Sequence, residues 1–237
     1  MNSIIKFISF LAISISFSAQ SALVLNGTRF IYPEHARAIG ISVTNYADTP
    51  FGGQLWIENI DGSNNIPFAV TPSIFSIRSN KSEQMVQVAK LDTESLKKDR
   101  ETLFSVYLQE LPPKPKDELG ANLLVMAARI VVKLIYRPES IAEGRENAEE
   151  KIKISVNGKN VTFENPTPYY FAIISINGNK NLATNEFSKM APFSTSTSIL
   201  SDTKQDVVTF QAIDDYGSVN NYHCNLKKVK KQCQLVN

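Results

Sequence analysis

The sequence is poor in the residues that enzymes most often use for catalysis. Its 237 residues include two histidines, His35 and His223, and two cysteines, Cys224 and Cys233. No serine or cysteine stands with a histidine and an orienting acid, which argues against a nucleophilic triad. No glycine-rich loop follows a predicted strand, which argues against a phosphate-binding loop. These absences predict a protein that is not an enzyme and that needs no cofactor.

Strong charge and long apolar runs are also missing. The formal net charge of +2 gives no reason to expect a nucleic-acid partner. At the N-terminus, Lys6 precedes an apolar stretch at 7–17 that is too short to span a bilayer, and small residues follow at Ala19 and Ser21. We therefore expect a signal peptide over residues 1–21, export, and no membrane insertion after cleavage. The alternative is an uncleaved membrane anchor.

The two cysteines lie close together near the C-terminus. Export favours a disulfide between Cys224 and Cys233. A metal site formed with His223 is the alternative, but it lacks a fourth ligand and the usual Cys-x-x-Cys spacing. We expect no metal. Because the bonded loop is short and terminal, the disulfide would hold a hairpin and not the whole fold.

Alternation of apolar and polar residues, and not helical periodicity, runs through the chain. Short alternating segments are separated by turn signals such as Asn157-Gly158 and Asn177-Gly178. This pattern is typical of β-sandwiches. The only tryptophan, Trp56, is expected in a core.

A charged segment at 140–151 interrupts the strand pattern and is interpreted as a linker or hinge. Its adjacent carboxylates, Glu149 and Glu150, are expected to form a solvated face. The fold class predicted is all-β, with two sandwich domains at residues 22–141 and 142–237.

One segment combines unusual length with an unusual cation. The residues at 122–138 predict a single long strand, Asn122–Arg137, in which Lys133 stands where a core residue would be expected. A long apolar strand invites aggregation unless something covers it. Either the fold buries it, which is the simpler interpretation from the residues alone, or the strand is offered to another protein.

Eight short stretches, each weak alone, together resemble the periplasmic chaperones of the chaperone–usher pilus pathway. They are Thr28–Tyr32, Trp56–Glu58, Asp99–Phe104, Glu110–Pro113, Val132–Pro138, Asn165–Phe171, Met190–Ser194 and Asp215–Gly217. Their number, order and spacing make a chance similarity improbable. At Ile77–Asn80 the sequence departs from the acidic residue and proline that are usual in the family. The loop from Pro112 to Ala121 is short and lacks cysteine, which resembles the short-loop group of these chaperones.

The resemblance implies two immunoglobulin-like β-sandwich domains set at an angle, with a cleft between them. It implies a periplasmic chaperone that binds, folds and caps pilus (fimbrial) subunits by donor-strand complementation. It then implies delivery of each subunit to an outer-membrane usher. The alternative is an immunoglobulin-like structural pilus subunit or adhesin. Whether the free protein self-associates stays open.

The resemblance also implies an anchor and a structural network. Arg29 and Lys133 would meet in the cleft and bind the C-terminal carboxylate of the subunit, through short charge-assisted hydrogen bonds. Glu101, Arg137 and Asp215 match positions that form a salt bridge network between the domains. We expect that network to hold the cleft angle and not to bind the subunit.

The donated strand is assigned by the same resemblance. Leu124, Met126 and Ala128 would insert into the subunit, and Ile130 lies on the same face because alternate side chains of a strand share a face. Ala128 is small for this role, which predicts a shallow pocket or a weak contact at that position.

Overall fold

The structure, a computed structural model, describes residues 21–91, 94–114, 125–201, 206–228 and 232–236. Within these residues the chain is built mostly from strands, as the alternating pattern predicts. The strands of its N-terminal part are β1 (Leu23–Leu25), β2 (Arg29–Pro33), β3 (Ala38–Asn45), β4 (Phe51–Asn59), β5 (Phe68–Thr71), β6 (Ile74–Ile77), β7 (Ser82–Lys90), β8 (Thr102–Leu111) and β9 (Arg129–Arg137). Those of its C-terminal part are β10 (Lys153–Asn157), β11 (Asn160–Glu164), β12 (Ile173–Ile176), β13 (Thr195–Ile199), β14 (Val207–Ile213), β15 (Val219–Asn225) and β16 (Cys233–Val236).

The N-terminal strands form a sandwich of two sheets. One sheet has the order β1-β3-β7-β5 and the other has the order β2-β9-β8-β4-β6. Alternate residues of each strand turn inward, so that Val132, Leu134 and Tyr136 of β9 are buried in one apolar cluster between the sheets. The predicted all-β sandwich is therefore confirmed for this part of the chain.

The C-terminal strands form a second sandwich with its own core. Its sheets have the orders β10-β11-β13 and β12-β14-β15-β16, and its buried apolar residues form a separate cluster. Cys224 and Cys233 face each other on β15 and β16 and form the predicted disulfide. The Asn177-Gly178 turn is also present, with both residues at positive φ (49° and 74°), as the tightest hairpin turns require.

The helical segments in the described residues are short. Two 3₁₀ helices, Glu139–Gly144 and Ala148–Lys151, follow β9, and an α-helix, α1 (Asn185–Ser188), follows β12. No helix in the described ranges is long and apolar enough to cross a bilayer. Those ranges also contain no group of three or more histidine, cysteine, aspartate or glutamate residues that could hold a metal ion.

Trp56 lies outside the core, so the prediction for it is wrong. Its neighbours on β4, Leu55 and Ile57, are buried, and alternation places Trp56 on the opposite, outer face of the sheet. There its ring stacks on Tyr107 at 5.1 Å between centroids. The indole N–H donates to the Glu58 carboxylate at 2.7 Å, so the polar end of the ring stays satisfied at the surface.

Candidate functional site

Strand pairing brings Arg29 and Lys133 together. β2 pairs in parallel with β9, and Arg29 stands directly beside Lys133 in that register. Phe30 and Leu134, the next residues of each strand, turn into the N-terminal core. Alternation therefore places both cations on the outer face of the sheet. That face is turned toward the C-terminal sandwich.

Both cations reach across to main-chain carbonyls of the C-terminal sandwich. Arg29 Nη1 donates to the carbonyl oxygen of Ile213 at 2.8 Å, and Lys133 Nζ donates to the carbonyl oxygen of Ser188. Among the described residues, neither cation forms an ion pair with a carboxylate. Two half-buried positive charges thus have neutral acceptors, a weaker arrangement than a charged partner would give.

The electrostatics of this place favour an anion. Burial, together with the positive charges of Arg29 and Lys189, lowers the pKa of Lys133 to about 8. Burial is also the main cause that lowers the pKa of Arg29. Together with Leu103, Ile135, Tyr170, Phe171 and Ala172, these three cations line one narrow cavity between the sandwiches. Nothing in the sequence pattern pointed to Lys189, since a lone lysine after a short helix has no signature.

A second cluster of charges joins the two sandwiches. Arg137 Nε lies 2.7 Å from Glu101 Oε1, and Arg137 Nη1 lies 2.7 Å from Asp215 Oδ2. The second carboxylate oxygen of Glu101 accepts the main-chain N–H of Tyr170 at 2.7 Å. Burial raises the pKa of Glu101, although the Arg137 guanidinium opposes that shift. The three charged residues named by the resemblance are thus in direct contact.

Two further members of this cluster were missed from the sequence. Arg145 pairs with Glu149 through two hydrogen bonds, at 2.9 Å and 2.8 Å, and its Nε lies 3.3 Å from Asp215 Oδ1. Glu149 is only 2% exposed, so the expectation that it lies on a solvated face is wrong. The physical reason is that Arg145, four residues earlier, turns inward with it and compensates its charge.

The donor segment differs from the predicted long strand. Leu124 lies outside the described residues, and residues 125–128 precede β9, which begins at Arg129. The expected strand start, Asn122, also lies outside the described residues, and the expected strand is absent at residues 125–128. Beyond Ala128 the facing chain runs from β8 into Pro112 and Pro113, which have no main-chain N–H to donate.

The side chains of this segment divide at Ile130. Met126 is 75% exposed and Ala128 is half-buried. Ile130 packs against the N-terminal core as a partly buried residue. The apolar row therefore leaves the core at Ile130 and reaches solvent by Met126.

Comparisons with known proteins give a consistent result. Residues 22–142 match the family described as "Pili and flagellar-assembly chaperone, PapD N-terminal domain", and residues 147–224 match "Pili assembly chaperone PapD, C-terminal domain". The chain is 37% identical over 224 residues to the chaperone protein FanE of Escherichia coli, covering 92% of this chain and 96% of that protein. It is 30% identical over 211 residues to the chaperone protein FimC of Escherichia coli K12, covering 89% and 86%.

Solved structures agree in fold. The CupB2 chaperone of Pseudomonas aeruginosa aligns with a TM-score of 0.68 at 28% identity, covering 86% of this chain and all of that one. The SafB chaperone of Salmonella enterica, solved in complex with the SafA pilin, aligns with a TM-score of 0.76 at 24% identity, covering 89% and 99%. At that identity the second likeness concerns the fold alone.

Proposed function

The chain belongs to the PapD family of pili assembly chaperones, and on this premise we propose that Arg29 and Lys133 bind the C-terminal carboxylate of a pilus subunit. Chaperones of this family bind pilus subunits and deliver them to an outer-membrane usher, so that subunits and usher are its partners. Within the proposal the protein acts in the periplasm and is not an enzyme. Its domains are residues 22–141 and 142–237.

The observation that carries the proposal is the pairing of Arg29 with Lys133 at one place, where neither forms an ion pair with a carboxylate of the described residues. Burying a cation without a charged partner costs free energy. A subunit carboxylate would replace the carbonyl oxygens of Ile213 and Ser188 as acceptor, with stronger bonds between opposite charges. Two cations converging on one carboxylate would also fix the position of the last subunit residue.

The edge of β9 supports strand donation by the residues that precede Lys133. Lys133 N–H donates to the carbonyl oxygen of Thr28, on the β2 side of the strand. Because main-chain groups of alternate residues point to the same edge, those of Ala127 and Arg129 point to that side too. β2 begins only at Arg29, opposite Lys133. Beyond that point no strand of the described residues pairs with this edge of β9, which suits pairing with a strand from another chain.

Alternation also supports the proposed inserting row. Leu124, Met126 and Ala128 continue the row to which Ile130 belongs, and Ile130 already packs on the N-terminal core. In the proposed complex this one apolar row would pass from the core of the chaperone into the groove of the subunit. Each inserted leucine or methionine would contribute roughly 1.5–3 kcal/mol.

The affinity for a subunit is expected to fall as Lys133 loses its proton. The pKa of Lys133 in the free protein is about 8, and a bound carboxylate would raise it, so affinity is full below pH 8 and declines above it. From pH 7 to pH 9 the loss should approach about tenfold. Lys133→Arg keeps its charge throughout this range. The stability of the free protein should show the opposite sign and rise above pH 8, because the buried cation is neutralised.

Competition between the wild type and Lys133→Arg for one subunit measures how affinity depends on pH, and the arginine variant is the internal control. Wild-type protein and Lys133→Arg, carrying different tags, share one limited pool of a pilus subunit encoded beside this gene (the test subunit). The share held by the wild type should stay constant up to about pH 8 and then decrease. A constant share up to about pH 9 would contradict a protonated Lys133 in the anchor.

Met126→Glu is expected to weaken the complex with the test subunit by about 10- to 100-fold. The reason is the lost burial of a methionine, worth roughly 1.5–3 kcal/mol, together with the cost of an unpaired charge in an apolar groove. Val125→Glu is the matched control, because Val125 is also exposed in the free protein but belongs to the opposite row. Recovery of each complex from the periplasm gives the result. Equal losses for both variants would contradict the assignment of the inserting row.

A further inference from the structure

Glu110 is a buried carboxylate at the end of β8 that the proposed binding site does not use. Its residue is 5% exposed. It belongs to the inward-facing row of β8 and follows three buried apolar residues, Phe104, Val106 and Leu108. A carboxylate in such a place is costly unless several hydrogen bonds satisfy it. The bonds it makes therefore indicate why it is there.

The carboxylate joins three separate segments. Oε1 accepts the main-chain N–H of Leu23 at 3.0 Å. Oε2 accepts the main-chain N–H of Ala128 at 3.0 Å. Leu23 lies in β1, in the opposite sheet of the sandwich. Glu110 thus ties the edge of one sheet to the residue from which the donor segment leaves the other.

Ala128 is held at both of its main-chain groups. Its carbonyl oxygen accepts the main-chain N–H of Glu110 at 2.9 Å and the side-chain amide of Gln109 at 3.1 Å. In a regular antiparallel pair the N–H of Ala128 would go to the carbonyl of Glu110. Here the side-chain carboxylate takes the place of that carbonyl. The last hydrogen bond between these two strands is therefore accepted by a side chain, so it depends on the carboxylate of Glu110.

The electrostatics agree with this geometry. Burial alone would raise the pKa of Glu110, but the hydrogen bonds donated to its carboxylate, first those of the Leu23 and Ala128 N–H groups, outweigh burial and lower the pKa. The carboxylate is thus ionised at neutral pH, and its bonds are charge-assisted. A neutral amide at this position could not accept from all of these donors at once.

We propose that Glu110 is a positioning residue for strand donation: by holding both the N–H of Ala128 and strand β1, its carboxylate sets the direction in which the donor segment leaves the sandwich. The inference rests on the proposed function and deepens it. Ala128 is then small because its peptide group, and not its side chain, carries the role at this position. The anchor at Lys133 fixes one end of residues 128–133, and the bond between Glu110 and the N–H of Ala128 fixes the other end.

The test compares Glu110→Gln with a mild core variant, Ile57→Val, in the same domain. Both are measured at a temperature at which each variant is fully folded. Glu110→Gln should speed dissociation of the test subunit by about tenfold, because a buried N–H loses its partner. Amide exchange at residues 125–129 of the free protein should become faster by a similar factor. Ile57→Val should leave both rates close to the wild type.

The pH profile separates positioning from loss of the anchor. In Glu110→Gln the decline of affinity above about pH 8 should persist, because Arg29 and Lys133 are intact. The inference is overturned if Glu110→Gln shows wild-type dissociation and exchange, or if Ile57→Val changes both as much. If Arg29→Ala binds the test subunit as well as the wild type, the proposed anchor fails instead, whatever Glu110→Gln does.

Discussion

Replacing Arg29 or Lys133 with alanine is expected to remove the chaperone–subunit complex while both domains stay folded. Each cation would lose a buried, charge-assisted contact with the subunit carboxylate, a change that typically costs about 2–5 kcal/mol. The lower value already weakens binding about 30-fold. Each residue also gives up one hydrogen bond to the C-terminal sandwich, Arg29 to Ile213 and Lys133 to Ser188. That second loss is small, because the acceptors are neutral carbonyls that water can satisfy.

The measurement is recovery of the test subunit with a tagged chaperone from the periplasm, together with a thermal unfolding curve for each variant. Lys153→Ala is the matched control, since Lys153 is an exposed cation whose ion pair with Glu164 lies on the C-terminal sandwich. It should bind like the wild type. If Arg29→Ala and Lys133→Ala also bind like the wild type, the anchor does not exist at these residues.

Replacing Glu101 with alanine is expected to lower the free energy of unfolding by about 3–5 kcal/mol, the usual cost of removing one partner from a buried ion pair. Glu101 is 2% exposed and accepts from Arg137 in its own domain and from Tyr170 in the other. Its loss leaves the Arg137 charge with Asp215 alone and a main-chain N–H without an acceptor. The two domains should then unfold less cooperatively.

Denaturant unfolding measures the change in the free energy of unfolding, and calorimetry measures the change in cooperativity between the domains. Asp99→Ala is the control, because Asp99 lies two residues before Glu101 and forms an exposed ion pair with Arg100. Exposed pairs contribute at most about 1 kcal/mol. A loss below about 1 kcal/mol for Glu101→Ala would mean that the network does not hold the domains together. Subunit binding should fall only as far as the lost stability requires.

The sequence predicts most of the strands because alternation records burial directly. Val132, Leu134 and Tyr136 alternate along β9, and all three turn into the core. The Asn177-Gly178 turn follows from the few residues that tolerate positive φ. The pairing of Arg29 with Lys133 was different. It depends on contact between strands about a hundred residues apart, and only the resemblance to a family brought the two residues together.

The errors have physical reasons of the same kind. Trp56 alternates correctly, but alternation does not say which of two apolar-looking faces is covered. Glu149 looks like a solvated charge until Arg145 folds against it. The start of β9 depends on a neighbouring strand, and residues 125–127 pair with no strand of the described chain. Each error concerns a contact made at long range or with another molecule.

The two carbonyl acceptors of the anchor have a consequence for how the domains respond to cargo. Arg29 and Lys133 each connect the N-terminal sandwich to the C-terminal one, through Ile213 and Ser188. Under the proposed anchor, a bound carboxylate competes with those carbonyls for the same donors. Loading and interdomain closure are then thermodynamically linked, and the coupling is reciprocal. A loaded chaperone would have a looser junction than an empty one, and departure of the subunit would tighten it again.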